Sequence, residues 1–188
     1  MNDESKAAHD DHLIADARDN PSEFVKLYRR HYGAVFRYCV HRLFDRQMAE
    51  DITGEVFLKV VENLRHFKGD EKQFRSWLYR IASNAINDHM RKTARRDGLL
   101  EGARQQIGSQ VADCQSSAEP STEKLVLLRE AVLSLKPLYQ TIIALRFFEN
   151  LKLAEIAEVL GSRPSTVRSQ LARALTKLRK KLAIDFSD

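Results

Sequence analysis

Near the C-terminus, Arg168, Ser169, Gln170, Ala172, Arg173 and Lys177 combine long donors, short polar groups and one small methyl on one side of a helical register. That chemistry recognises rather than transforms. Arginine pairs bidentately with guanine, glutamine with adenine, and a methyl packs on thymine, so the set suits base edges as well as phosphates. From Ser162 to Leu182 there is no acidic residue, while Arg163, Arg168, Arg173, Lys177, Arg179, Lys180 and Lys181 are basic. An uncompensated basic face favours a polyanion. The Arg179–Lys181 run reads equally well as a solvated helix end, because cations suit the C-terminal dipole.

Two helices and a turn must position that set. Leu153, Ile156, Ala157 and Leu160 share one helical face, and Gly161 follows where a helix ends on a residue tolerant of positive φ. Ser162–Ser165 form the turn, with Pro164 or Ser165 suited to opening the next helix. Val167, Leu171, Ala174, Leu175, Leu178 and Leu182 then form its apolar stripe. The N-terminal half of such a second helix is the part that enters the major groove.

The remaining composition argues against several classes. The six histidines are scattered, and no Ser/His/Asp triad, P-loop, HExxH or paired metal-ligand spacing occurs, so no catalytic residue, metal or cofactor is expected. Cys39 and Cys114 stand far apart outside any CxxC or Cys/His pattern, which fits a reduced chain. The polar, acidic N-terminus has no apolar core region, and no later run reaches the length of a membrane span. A cytoplasmic protein without direct membrane insertion and without a small-molecule substrate is therefore expected. Lys+Arg total 31 against 26 Asp+Glu, a net charge of only +5, so clustering rather than overall charge points to nucleic acid.

With 188 residues, 7 glycines and 4 prolines, and apolar periods near 3.6, the chain predicts two small all-α domains. A first helix is expected from about Ser22 to Leu43, a second from about Ala49 to Phe67, and a third from about Glu71 to Lys92. These can close a helical bundle over residues 21–93 behind a flexible acidic N-terminus, residues 1–20. From Thr93 to Thr122 periodicity fails amid glycine, serine and glutamine, so 94–122 is expected to be a flexible linker. Four helices then fill the second domain, 123–188, with one of them running through LYQTIIALRFFEN.

Three blocks add a family resemblance: AEDITGEVFLK at 49–59; FRSWLYRIASNAIND at 74–88, followed by Arg91, Lys92, Arg95 and Arg96; and RFFENLKLAEIAEVLGSRPSTVRSQLARALTKLRK at 146–180. Together they resemble the bacterial extracytoplasmic function (ECF) group of sigma factors. The resemblance implies an alternative sigma factor that binds core RNA polymerase, directs it to promoters and helps melt them. It further implies that the first domain (region 2) grips the beta-prime clamp helices through Asp51, Gly54, Glu55, Phe57 and Leu58, and that the second (region 4) meets the beta flap. Gly54 stands where the family usually has glutamine, and a mid-helix glycine costs about 1 kcal/mol against alanine.

By the same resemblance, Lys68, Gly69 and Asp70 of a base-capturing loop, with Phe74, Arg75, Trp77, Tyr79, Arg80, Asn84, Asp88, Arg91 and Lys92, recognise and open the downstream (minus-10) promoter element. Basic and aromatic groups suit a single strand, and contacts confined to the open strand offset the unstacking of an extracted base. Read by spacing alone, Trp77 is more often a core residue than a stacking platform. Upstream (minus-35) reading falls on Arg163, Ser165, Thr166, Arg168, Ser169, Gln170, Ala172, Arg173 and Lys177. Pro164-Ser165 replaces a frequent Gly-Thr pair, and Gln170 a frequent arginine.

The resemblance also implies an anti-sigma factor as a partner, and a linker that threads the polymerase, where Asp97, Glu101, Asp113, Glu119 and Glu123 would imitate nucleic acid. A stand-alone regulator that binds duplex DNA without polymerase explains residues 153–182 but leaves the first domain idle.

Overall fold

The computed structural model describes residues 13–104 and 120–185. Among the described residues the regular elements are helical: α1 (Pro21–Leu43), α2 (Arg46–Asn63), α3 (Glu71–Arg104), α4 (Pro120–Leu133), α5 (Pro137–Ile143), α6 (Leu153–Leu160) and α7 (Pro164–Asp185). A 3-10 turn, Leu64–His66, extends α2.

The boundaries follow from local chemistry. Asn20 caps α1 by accepting the Ser22 amide at 3.0 Å, and Pro21 supplies a preset φ in the first turn. Asp45 caps α2 through the Met48 amide at 2.9 Å. Asp70 and Gln73 cap α3 reciprocally: the Gln73 amide donates to Asp70 Oδ1 at 2.7 Å, and the Asp70 amide donates to Gln73 Oε1 at 3.1 Å. Helix α6 ends at Gly161, whose φ of 61° is left-handed, as a glycine stop predicts.

Helices α1, α2 and the first half of α3 form the first bundle around Leu27, Val35, Ile52, Val56, Val60, Phe74, Leu78 and Ile86. Ile142, Leu145, Leu151, Ile156, Val159 and Val167 from the second half of the chain join the same continuous core. The two halves are therefore packed on each other, with α6 lying against α3.

Three segments differ from the expectations. Residues 13–16, assigned to a flexible tail, make a helical turn, and Ile14 and Ala17 are buried in the first bundle. Apolar spacing was too short there to register as an element. Helix α3 runs on to Arg104, well past Lys92, and α4 begins at Pro120, so residues 94–104 and 120–122 of the expected linker are helical. Asp97 and Glu101 fall within α3 and Glu123 within α4, whereas Asp113 and Glu119 lie outside the described residues. Finally, the helix through residues 138–150 is not continuous, because Ala144–Phe148 form a π turn after α5. The extra residue per turn pushes Phe147 and Phe148 outward.

Docking of the N-terminal turn has a measurable consequence. Ile14→Ala should lower unfolding stability in urea by about 2–4 kcal/mol, the usual cost of emptying a buried aliphatic site. A loss near zero would show that the turn is undocked.

Candidate nucleic-acid interface

Helix α7 buries Val167 and Ala174 and half-buries Leu171, Leu175 and Leu178, which fixes the rotation of its outer face. That face exposes Arg168, Ser169, Ala172, Arg173 and Lys177, preceded by exposed Arg163, Ser165 and Thr166. Ser169 donates back to the Thr166 carbonyl at 2.9 Å. Gln170 departs from the expected row: it is half-buried on the flank of α7, with its amide oxygen enclosed. The remaining side chains put arginine, lysine and hydroxyl donors beside the Ala172 methyl on the exposed face of the second helix of the pair.

Helix α3 carries a second basic face, and its residues divide sharply. Phe74 is fully buried and Tyr79 is 3% exposed, so neither is a stacking platform in this arrangement. Phe74 packs with Phe67, Trp77 and His31 at ring distances of 5.5, 5.7 and 5.2 Å. Tyr79 stands edge-on to Tyr38 and donates its hydroxyl to Glu149 Oε2 at 2.6 Å. Burial, reinforced by that carboxylate, holds the Tyr79 hydroxyl well above its ordinary pKa. Trp77 is intermediate: half-buried against Phe67, it also lines an open cleft of about 630 Å³ with Lys68, Gln73 and Arg80.

The loop before α3 owes its shape to Gly69. A Cβ there would meet Gln73 Oε1 at 2.5 Å and the Phe67 ring at 3.0 Å, so a side chain would displace Gln73 from the Asp70 amide. Asp70 is thus committed to capping. Further along, Asn84 is exposed, half-buried Asp88 pairs with exposed Arg91, and Lys92 is exposed. Arg75 and Arg80 are both engaged by α6, through Glu155 and through the carbonyls of Glu158 and Val159.

Helix α2 offers a face of different chemistry. Asp51, Gly54 and Glu55 are exposed, and Leu58 is 66% exposed. Val61, another large apolar residue on this helix, is also exposed. Glu55 pairs with Lys59 at 2.6 Å. Phe57, in contrast, is 4% exposed and packs edge-on to Tyr28 at 4.8 Å, so it belongs to the core rather than to the outer face. Nothing lies within 4 Å of a Cβ at Gly54, so no packing requirement holds a glycine there.

Comparison with known proteins now decides the family. Residues 27–96 match the Sigma-70 region 2 family and residues 125–178 match Sigma-70, region 4. The chain is 30% identical over 156 residues to RNA polymerase sigma factor YlaC of Bacillus subtilis, covering 83% of this chain and 90% of that protein. Over 177 residues it is 30% identical to ECF RNA polymerase sigma factor SigW of the same organism, covering 88% and 90%. The chain belongs to the ECF sigma factors. A third relative, ECF RNA polymerase sigma factor BldN of Streptomyces coelicolor, is 30% identical over 162 residues, and the match spans 86% of this chain and 61% of BldN. Among solved structures, CnrH in complex with the cytosolic domain of CnrY superposes with a TM-score of 0.68 at 22% identity, covering 94% of this chain and 98% of that one. RpoE in complex with the anti-sigma factor NepR from Bartonella quintana gives 0.64 at 19%, covering 87% and 98%. These two establish the shared fold.

In this sigma factor several groups of consequence escaped the sequence patterns. Arg42 in α1 is 1% exposed and donates to Gln140 Oε1 at 2.5 Å and to Asn87 Oδ1 at 3.1 Å, joining the two halves. Its apolar-stripe position gave no sign of a buried guanidinium. Ser76 and Lys72 meet Glu158 at 3.1 and 3.6 Å. Val61 was legible, had the outward side of α2 been scanned for apolar residues. Cys39 is buried, and that burial pushes its thiol up to about 11, which makes it a poor redox sensor; Cys114 lies outside the described residues. Among the described residues no group of His, Cys, Asp and Glu is placed to hold a metal.

The open space at Gly54 yields a direct expectation. Gly54→Ala should raise urea stability by about 0.5–1 kcal/mol by restoring helix propensity. A decrease would show that the exposed glycine serves the fold.

Proposed function

We propose that this protein is an alternative sigma factor, acting in the cytoplasm as a non-enzymatic initiation subunit. Region 2 docks on the beta-prime clamp helices through Asp51, Glu55 and Leu58, with Val61 extending the apolar centre. Exposed carboxylates beside desolvatable apolar anchors give both steering and hold. Region 4 meets the beta flap and reads duplex DNA upstream with Arg168, Ser169, Ala172 and Arg173, while Thr166 and Arg163 clamp phosphate. Downstream, Lys68, Trp77, Asn84, Arg91 and Lys92 hold the melted strand, joined by Arg75 and Arg80 once these are free of α6. Any catalysis belongs to the polymerase.

One observation carries this reading over that of a stand-alone regulator. Leu58, two-thirds exposed on an acidic helix face, has no use in gripping DNA, whose charge it would repel, but suits a protein groove. Of the two structural neighbours, CnrH is seen in complex with the cytosolic domain of CnrY and RpoE with the anti-sigma factor NepR. We include an anti-sigma factor among the partners on that basis.

The division of labour is testable on a promoter selected from a random-sequence library by the reconstituted holoenzyme. Arg173→Ala should weaken binding to the selected upstream element by about 1–3 kcal/mol, sparing random duplex and polymerase assembly. Asn84→Ala should leave that duplex binding intact and reduce permanganate reactivity of the melted strand. Equal loss on random duplex would make Arg173 a phosphate contact, and normal melting would remove Asn84 from the strand site.

A further inference from the structure

Four large apolar side chains left uncovered in the second half, Val126, Leu128, Phe147 and Phe148, border a single hollow of about 550 Å³. Each is between 40% and 53% exposed, more than a packed core tolerates. Val132, Ile143 and Leu178 line the hollow from α4, α5 and α7, while His41 and Phe44 close it from the C-terminal end of α1. None of these residues belongs to the rows assigned to promoter or polymerase.

Three local devices converge on this hollow. The π turn at Ala144–Phe148 brings Phe147 and Phe148 to its wall. Phe44 holds a φ of 54°, a left-handed conformation unfavourable for so bulky a residue, and its ring lines the mouth. His41 stacks on Phe148, with 3.8 Å between ring centroids and 11° between planes. Strained residues and π turns both collect at binding sites.

The lining is polar at two points only. Burial holds His41 below the ordinary histidine pKa, so its ring is neutral at pH 7. Arg129 is therefore the one lining group that carries charge, and no acidic residue lines the hollow. Its exposed guanidinium lies over the Phe44 ring at 5.6 Å, without a carboxylate partner among the described residues.

We propose that this hollow binds a free fatty acid of medium chain length, with the chain enclosed by the aromatic and aliphatic wall and the carboxylate paired with Arg129. The volume falls within the range of about 300–1,000 Å³ found for small-molecule sites, which are mostly apolar with a few polar groups that orient the ligand. Each methylene withdrawn from water into the wall adds to the hold, and a guanidinium meets a carboxylate through two parallel hydrogen bonds. An amphipathic helix would need anchors spread along a groove over successive turns, whereas here the uncovered side chains converge on one hollow. One hollow with one cation also fits a single chain better than a two-chain membrane lipid.

Isothermal titration of the full chain at pH 7 with decanoate, kept below its micelle concentration, tests the assignment. One saturable site is expected, with decanol bound about 10-fold more weakly because it lacks the charge that Arg129 recognises. Arg129→Gln should abolish that difference and leave decanol affinity unchanged, a result that damage to the fold would not give. Val132→Trp, which fills the hollow, and Phe147→Ser, which removes part of its wall, should each weaken both ligands, with folding checked by circular dichroism. Absence of saturable binding to the folded chain overturns the proposal, as does affinity that neither wall variant changes. Equal affinity for decanoate and decanol removes the carboxylate and with it the fatty acid. Association with phosphatidylglycerol vesicles but not with decanoate would make the face a membrane surface instead. Failure of decanoate to bind, together with weaker capture of core polymerase by Phe147→Ser, would assign the face to a protein and overturn the ligand alone.

Discussion

A single helix, α3, closes a hydrophobic core with one face and carries the residues proposed to hold the melted strand on the other, and most of the molecule answers to that pairing. Phe74, Leu78, Ala82, Ala85 and Ile86 bury the inner face against α1 and α2. This fixes the rotation at which Arg75, Trp77, Arg80 and Asn84 meet the outside. The cap formed by Asp70 and Gln73, with Gly69 leaving room for the Gln73 amide, marks where the helix begins.

The second basic row, on α7, is positioned by a separate device. Gly161 turns the chain through a left-handed residue, and buried Val167 and Ala174 then orient the reading face outward. Between the two rows, polar links are added to the shared apolar core: Arg42 to Gln140, Tyr79 to Glu149, and Arg80 to the end of α6. Polar links of this kind specify one arrangement while adding little net stability, because each partner gives up water to form it.

Much of the fold was legible because the helices carry clean apolar periods with capping residues at their ends. Asn20-Pro21 and Gly161 marked boundaries that the structure keeps. The extension of α3 to Arg104 was not legible, since its second half lacks the apolar stripe that identifies a packed helix. Nor was the π turn at Ala144–Phe148, which shifts register without changing composition. At the site, types and spacing found the exposed rows but could not decide burial: Phe57, Phe74 and Tyr79, given contacts by the family resemblance, are packed inside, whereas Leu58, named with Phe57, projects. Arg42 was hidden for the opposite reason, because a buried arginine has no signature until its distant amide partners are in view.

The central claim is that α2 presents a face for core RNA polymerase, and anisotropy of the labelled full chain titrated with bacterial core polymerase tests it most directly. Saturable binding, weakened by Asp51→Ala or Leu58→Ala and unaffected by Arg173→Ala, is the predicted result. Absence of binding by the folded chain, persisting when Gly54→Gln supplies the family's usual side chain, would contradict the account.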